Sequence, residues 1–241
     1  MSSGGEALSS SSRELRGRPT ASRGGLGVPK LHTIRGRMMY AICWSTAWLF
    51  GRIFCRLEVR GAENLPRHGP CIVAANHASH VDPPLLALIG FRLMRFWAKA
   101  ELFEVPVLGT ILDYVGCIPL KRGAADRTSL RMVMDALECG EVVTLFPEGT
   151  RSRNGELQEP QRGAGLIWKK AGVPVIPVYI EGSYAIFPPG AKFPRRGKVV
   201  IHVGAALELP PDFALACSGA DPYHHLAILI MRRIRARQVA G

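Results

Sequence analysis

The chain has 241 residues, 47% of them hydrophobic, and 31 basic against 19 acidic residues give it a net charge of +12. That length suits one domain with a full-sized core, and it excludes a wholly disordered chain or a small stapled scaffold. The charge asks for an anionic partner without choosing among nucleic acid, acidic lipid and phosphorylated substrate. Six cysteines, at 43, 55, 71, 117, 139 and 217, lie scattered in mostly apolar settings with no C-x-x-C pair and no zinc spacing. They read as small core residues in a reducing compartment.

Residues 1–37 are rich in Ser, Gly and Arg and poor in aliphatics, so they read as a disordered basic tail. Its arginines suit a membrane-binding arm or an organelle-targeting segment, and Glu6 and Glu14 weaken the second of these. Met38 to Phe50 is nearly continuous apolar sequence containing Trp44 and Trp48. It is shorter than the ~20 residues that a membrane span needs. Gly51 and Arg52 interrupt it, Ile53-Phe54-Cys55 extends it, and Arg35, Arg37, Arg52 and Arg56 flank it. Residues 38–56 are therefore expected to form a helical anchor lying in, or dipping into, one membrane leaflet. A buried core helix is the alternative. Residues 57–241 form the expected catalytic body.

Leu57 to Gly61 alternates as an edge strand should, and a turn-rich stretch follows to Pro70. Cys71 to Ala75 reads as a buried strand, and Asp82-Pro83-Pro84-Leu85-Leu86 as a helix start with Asp82 at the cap. Between them lies Asn76-His77-Ala78-Ser79-His80-Val81-Asp82. A histidine at a strand end with a carboxylate at the next helix start makes His77 a candidate base, its tautomer fixed by Asp82. A plain helix cap beside a hydrogen-bonded loop histidine is the bland alternative. A metal site is not expected, because His77, His80 and Asp82 match neither H-x-H-x-D-H nor H-E-x-x-H.

Phe96 to Phe103 reads as a strand leading into a loop, Val105 to Tyr114 as a short helix, and Val115 to Leu120 as a strand ending in Lys121-Arg122-Gly123. Leu130, Val133, Met134 and Leu137 mark a helix over Asp126 to Cys139, stopped by Gly140. Val142 to Phe146 is an apolar strand running into Pro147-Glu148-Gly149-Thr150-Arg151-Ser152. Arg162 to Ala171 reads as a helix, Val173 to Gly182 as a central strand, and Lys198 to Ala205 as a last strand. Pro222 to Val239 is a helix with basic residues at Arg232, Arg233, Arg235 and Arg237, suited to its C-terminus and to anionic lipid.

Asn-His-x-Ser-x-x-Asp followed about seventy residues later by Phe-Pro-Glu-Gly-Thr-Arg-Ser resembles the glycerolipid acyltransferases, and most closely the 1-acylglycerol-3-phosphate (lysophosphatidate) acyltransferases. The resemblance covers roughly residues 57–209. It implies catalysis by His77 and Asp82, with Asn76 and Ser79 as motif support. It further implies substrate contacts from Lys99, Arg122, Glu148, Gly149, Thr150 and Arg151. Arg122 falls where the family's phosphate-binding arginine would be, and a guanidinium fork grips phosphate bidentately. Pro119 departs from the family's commoner phenylalanine. Tight-turn formation by Glu148-Gly149-Thr150 and an ordinary strand-end role for Lys99 are the structural alternatives.

The expected fold is α/β, with a mostly parallel or mixed sheet flanked by helices and an N-terminal membrane-interacting helix. The expected reaction is acyl transfer from acyl-CoA or acyl carrier protein to the 2-hydroxyl of lysophosphatidate, giving phosphatidate without a cofactor. Direct attack is favoured over an acyl-enzyme, with Asn76, Ser79 or nearby backbone N–H groups supporting the oxyanion. The expected location is the cytoplasmic side of the cell membrane, peripheral or monotopic, with anionic lipid as a partner. Another lysolipid or glycerol-phosphate-type acceptor is the nearest rival. A basic membrane- or nucleic-acid-binding protein is the rival of another class, although no basic face interleaved with aromatics supports nucleic acid.

Overall fold

The computed structural model describes residues 33–90, 92–120, 127–210 and 221–239. Five strands make up most of the main sheet, all but the first seeded by β-branched or small apolar runs. These are β1 (Glu58–Arg60), β2 (Cys71–Ala75), β6 (Val142–Leu145), β7 (Val175–Glu181) and β8 (Val200–Val203). With β3 (Met94–Arg95) they form one sheet in the order β1-β8-β7-β2-β6-β3. Every pairing in it is parallel except β7 with β8. A second, two-stranded parallel sheet joins β4 (Trp97–Lys99) to β5 (Ile118–Leu120).

The period-2 geometry of a strand divides the core into two. On β2, Cys71, Val73 and Ala75 join Leu85, Leu86, Ile176 and Val178 in one cluster. Ile72 and Ala74 face the other way, onto Val143, Trp168, Leu226 and Ile230. Three helices cover that second face: α4 (Arg127–Glu138), α5 (Arg162–Ala171) and α7 (Pro222–Val239). Leu226, Ile230 and Ile234, one turn apart on α7, are all fully buried. The first face is covered by α2 (Asp82–Leu86), α6 (Ser183–Ile186) and one side of α1 (Ile34–Phe54). The result is a three-layer α/β domain, as expected.

Helix α1 packs Phe50 and Phe54 against that core and turns a stripe of aliphatics outward. Its buried residues are Gly36, Ala47 and Gly51, all small, and a Cβ at Gly51 would sit 3.4–3.5 Å from Leu57, Leu85 and Leu88. Trp44 Nε1 donates to the Ala87 carbonyl at 3.1 Å, and the Tyr40 hydroxyl accepts from Met94 N at 3.3 Å. The large aliphatics Ile34, Met38, Ile42, Leu49 and Ile53 are exposed instead. Their spacing of four, four, seven and four puts them on one stripe. Among the described residues no helix is long and apolar enough to cross a membrane.

Two local expectations need correction. Helix α3 (Leu108–Tyr114) starts later than Val105 because Pro106 disfavours helix before it and Val107 adopts φ +67°. At α2 the cap is Val81; Asp82 is the first helical residue, and its carboxylate turns back over the preceding loop.

Candidate active site

The parallel pairing of β2 with β6 and β7 brings three loops to one carboxyl edge of the sheet, where open α/β folds bind ligands. Ala74 pairs with Leu145, so Asn76 and His77 leave the sheet beside Phe146, Pro147 and Glu148. The Ser152 amide closes the two loops together by donating to the His77 carbonyl at 2.8 Å.

Three hydrogen bonds converge on one oxygen of Asp82. His77 Nδ1 lies 2.8 Å from Oδ2, and the Ala78 and Ser79 amides both donate to it at 2.7 Å. The Asp82 side chain is fully buried, whereas that of His77 keeps 17% of its surface open. Two backbone donors fix the carboxylate in place, and a carboxylate on Nδ1 places the ring proton there. The Nε2 lone pair is then left to accept a proton. Phe146 stacks on the imidazole, centroids 4.0 Å apart and planes 16° from parallel, which fixes the ring's tilt.

Glu148 holds the same loop from the other side. It is 2% exposed; its Oε1 accepts from His77 N at 3.1 Å, and Oε2 accepts from Gln158 N at 3.3 Å and Gln158 Nε2 at 3.2 Å. Burial raises its pKa to about 7, the negative charge of Asp82 adds to the rise, and the amides of His77 and Gln158 oppose it. Both oxygens are engaged with protein donors, which suits the positioning role expected of Glu148. Gly149 makes the turn: its φ is +68°, and a Cβ there would approach Gln161 Cγ to 2.9 Å. Thr150 is exposed, and its carbonyl accepts from Gln158 Nε2 at 3.5 Å.

The side chains of Asn76 and Ser79 are engaged with backbone partners. Asn76 bonds the Ile180 backbone in both directions, accepting at 2.7 Å and donating at 3.1 Å, so it rivets β2 to β7. The Ser79 hydroxyl donates to the Phe187 carbonyl at 2.7 Å. The amides of residues 77, 78 and 79 are taken by Glu148 and Asp82, and that of His80 lies 3.5 Å from the Phe187 carbonyl.

Arg151 reaches the same edge, with Nη1 on His80 Nε2. That contact needs a neutral imidazole, and burial, followed by the Arg151 charge, lowers the His80 pKa accordingly. Lys99 is exposed at the end of β4, in the smaller sheet, with no described contact to His77. Arg122 lies outside the described residues. Among the described residues no group of His, Cys, Asp and Glu could hold a metal ion. Phe146, Gln158 and Phe187 are contributors that the sequence reading did not single out as site residues. Only Phe146 carried a signal, as the first residue of its motif.

Residues 56–181 match the family described as Acyltransferase. The chain belongs to the acyltransferase family. It is 36% identical over 155 residues to a chloroplastic 1-acyl-sn-glycerol-3-phosphate acyltransferase of Brassica napus, covering 62% of this chain and 45% of that protein. A 1-acyl-sn-glycerol-3-phosphate acyltransferase of Bacillus subtilis is 27% identical over 178 residues, covering 73% of this chain and 85% of that one. The match spans about half the length of the plant relatives and most of the Bacillus one. Among solved structures, the 1-acyl-sn-glycerophosphate acyltransferase PlsC of Thermotoga maritima superposes with a TM-score of 0.66 at 28% identity, covering 85% of this chain and 79% of that one.

Proposed function

We propose that this acyltransferase moves an acyl group from an acyl thioester to the sn-2 hydroxyl of 1-acylglycerol-3-phosphate, making phosphatidate. The observation that carries the reading is the 2.8 Å contact of His77 Nδ1 with buried Asp82, which leaves Nε2 as the base. The Brassica, Bacillus and Thermotoga relatives, named for acylating 1-acyl-sn-glycerol-3-phosphate or 1-acyl-sn-glycerophosphate, support the acceptor. His77 Nε2 takes the hydroxyl proton as the oxygen attacks the thioester carbonyl. Asp82 stabilises the imidazolium that results. Collapse of the tetrahedral intermediate breaks the C–S bond, and the departing sulfur takes the proton back from Nε2, leaving ester and free thiol. The residues need no cofactor for this; acyl-CoA or acyl carrier protein enters as substrate. Arg151 and Arg122, with Lys99, bind the acceptor phosphate.

The enzyme works on a bilayer surface as a peripheral or monotopic protein, with the outward aliphatic stripe of α1 as its contact. The purified protein should transfer labelled acyl groups from acyl-coenzyme A to lysophosphatidate in preference to lysolipids lacking the phosphomonoester. His77→Ala should lower the rate on the order of 10²–10⁴-fold with the fold retained. Near-full activity in folded His77→Ala would remove the mechanism, and indifference to the phosphomonoester would remove the acceptor assignment.

A further inference from the structure

Between α6 and β8 the chain runs Phe187-Pro188-Pro189-Gly190-Ala191-Lys192-Phe193-Pro194-Arg195-Arg196-Gly197-Lys198. Phe193 is 81% exposed, more than any other large hydrophobic side chain described. Four cations surround it, and the segment contains no acidic residue. Lys198 pairs with Glu58 at 2.9 Å. Among the described residues no carboxylate pairs with Lys192, Arg195 or Arg196. Three prolines restrict the backbone, so the tip presents its side chains without much freedom to withdraw them.

Both ends of the segment are fastened. At one end the Phe187 carbonyl accepts from the Ser79 hydroxyl, in the loop that carries His77 and Asp82. At the other the Gly197 amide donates to the Phe54 carbonyl at 2.9 Å and the Val199 amide to the Cys55 carbonyl at 2.7 Å. The Arg195 amide closes the segment on the Ile186 carbonyl at 2.8 Å. It is a strap from the catalytic loop to the C-terminal end of α1. There Arg196 lies over the Phe54 ring, 5.8 Å from its centroid, and shares a shallow groove with Ile53, Arg56 and Lys198. Ile53 is the last residue of the outward stripe on α1, so a basic strap adjoins an apolar stripe.

We propose that this strap is a second membrane contact, one that takes an anionic phospholipid surface. Phe193 enters the headgroup–acyl boundary, and Lys192, Arg195 and Arg196 bind lipid phosphates around it. An aromatic tip ringed by cations, with an apolar helix face alongside, matches a bilayer surface in both charge and polarity. Because the strap is fastened to Phe187, the contact also sets the height of the catalytic loop above the lipid. The inference rests on the reading of α1 as a membrane-facing helix, and the two are separable by experiment.

Full-length protein is partitioned onto phosphatidylcholine vesicles with and without phosphatidylglycerol, at moderate salt. Lys192→Glu/Arg195→Glu, chosen to spare the contact of Arg196 with Phe54, should lose at least tenfold in binding to the anionic vesicles and little on the neutral ones. Phe193→Ser should weaken binding to both. Phe193→Trp should shift its emission to the blue on vesicles and be quenched by lipids brominated along the acyl chain. Unchanged partition of the charge-reversed protein, or a solvent-exposed Trp signal on vesicles, overturns the strap. A control pair, Leu49→Glu/Ile53→Glu, probes α1: loss there alone rejects the strap and keeps α1, and loss in neither rejects both. Thermal unfolding and activity on monomerically dispersed substrate should match wild type in the strap variants, which shows that they are folded.

Discussion

His77 and Asp82 were legible because they are five residues apart, on either side of one strand-to-helix turn, so their meeting needs no long-range fold. The partners of Asn76 and Glu148 were not legible. They are Ile180, which is distant in sequence, and His77 and Gln158, which only the assembled loops bring into reach. Glu148 yields a pH prediction. Its folded pKa of about 7 lies above the ordinary carboxyl value of 4.5, so the native state binds a proton that the unfolded chain has given up. The stability this group contributes is fully present below pH 4.5 and is lost as pH rises through about 7. The gap corresponds to roughly 3 kcal/mol. Glu148→Gln cannot ionise, so the stability of wild type relative to it should fall by about that much between pH 4.5 and 7.5 in urea unfolding. A constant difference across that range would mean that Glu148 titrates normally.

Elements were read well where one periodicity ran unbroken. The limits of α5 and α7 came out as expected because their apolar residues recur at helical spacing over two turns or more. Strand β3, two residues long, gave no pattern, although it closes the edge of the sheet beside β6. Arg95 there is buried against Glu141, a pairing invisible from either residue alone. Close approach of α5 and α7 makes the sharpest prediction at this scale. A Cβ on Gly165 would lie 1.9 Å from the Tyr223 carbonyl oxygen and 2.9 Å from Leu226 Cβ, so the helices must separate. Gly165→Ala should destabilise by about 3 kcal/mol, at the upper end for overpacking. Gly163 has nothing within 4 Å of its Cβ position, and Gly163→Ala should stabilise by about 0.5 kcal/mol through helix propensity. Two thermal melts decide the matter. Equal effects at the two positions would mean that the α5–α7 contact yields easily.

For the whole molecule, the alternation of strand and helix patterns led to an α/β fold, and the parallel order then collects the loops after β2 and β6 at one edge. What composition could not reveal is that α1 turns a stripe of large aliphatics outward. A hydrophobic run looks the same whether it packs inward or outward. The difference lies in which residues are small: Gly36, Ala47 and Gly51 let the helix settle onto the body, and Ile34, Met38, Ile42, Leu49 and Ile53 are left outside. Leaving these five side chains about half or more exposed forgoes part of a burial worth about 1.5–3 kcal/mol each when complete, which a lipid surface would restore. Leu49→Glu/Ile53→Glu should therefore leave the melting temperature nearly unchanged, because neither side chain belongs to the core. The variant should shift from the membrane to the soluble fraction and lose more activity on bilayer-presented acceptor than on dispersed monomers. If it instead unfolds at lower temperature and still sediments with vesicles at high salt, where electrostatic adhesion is screened, the stripe packs against protein and the membrane reading of α1 is wrong.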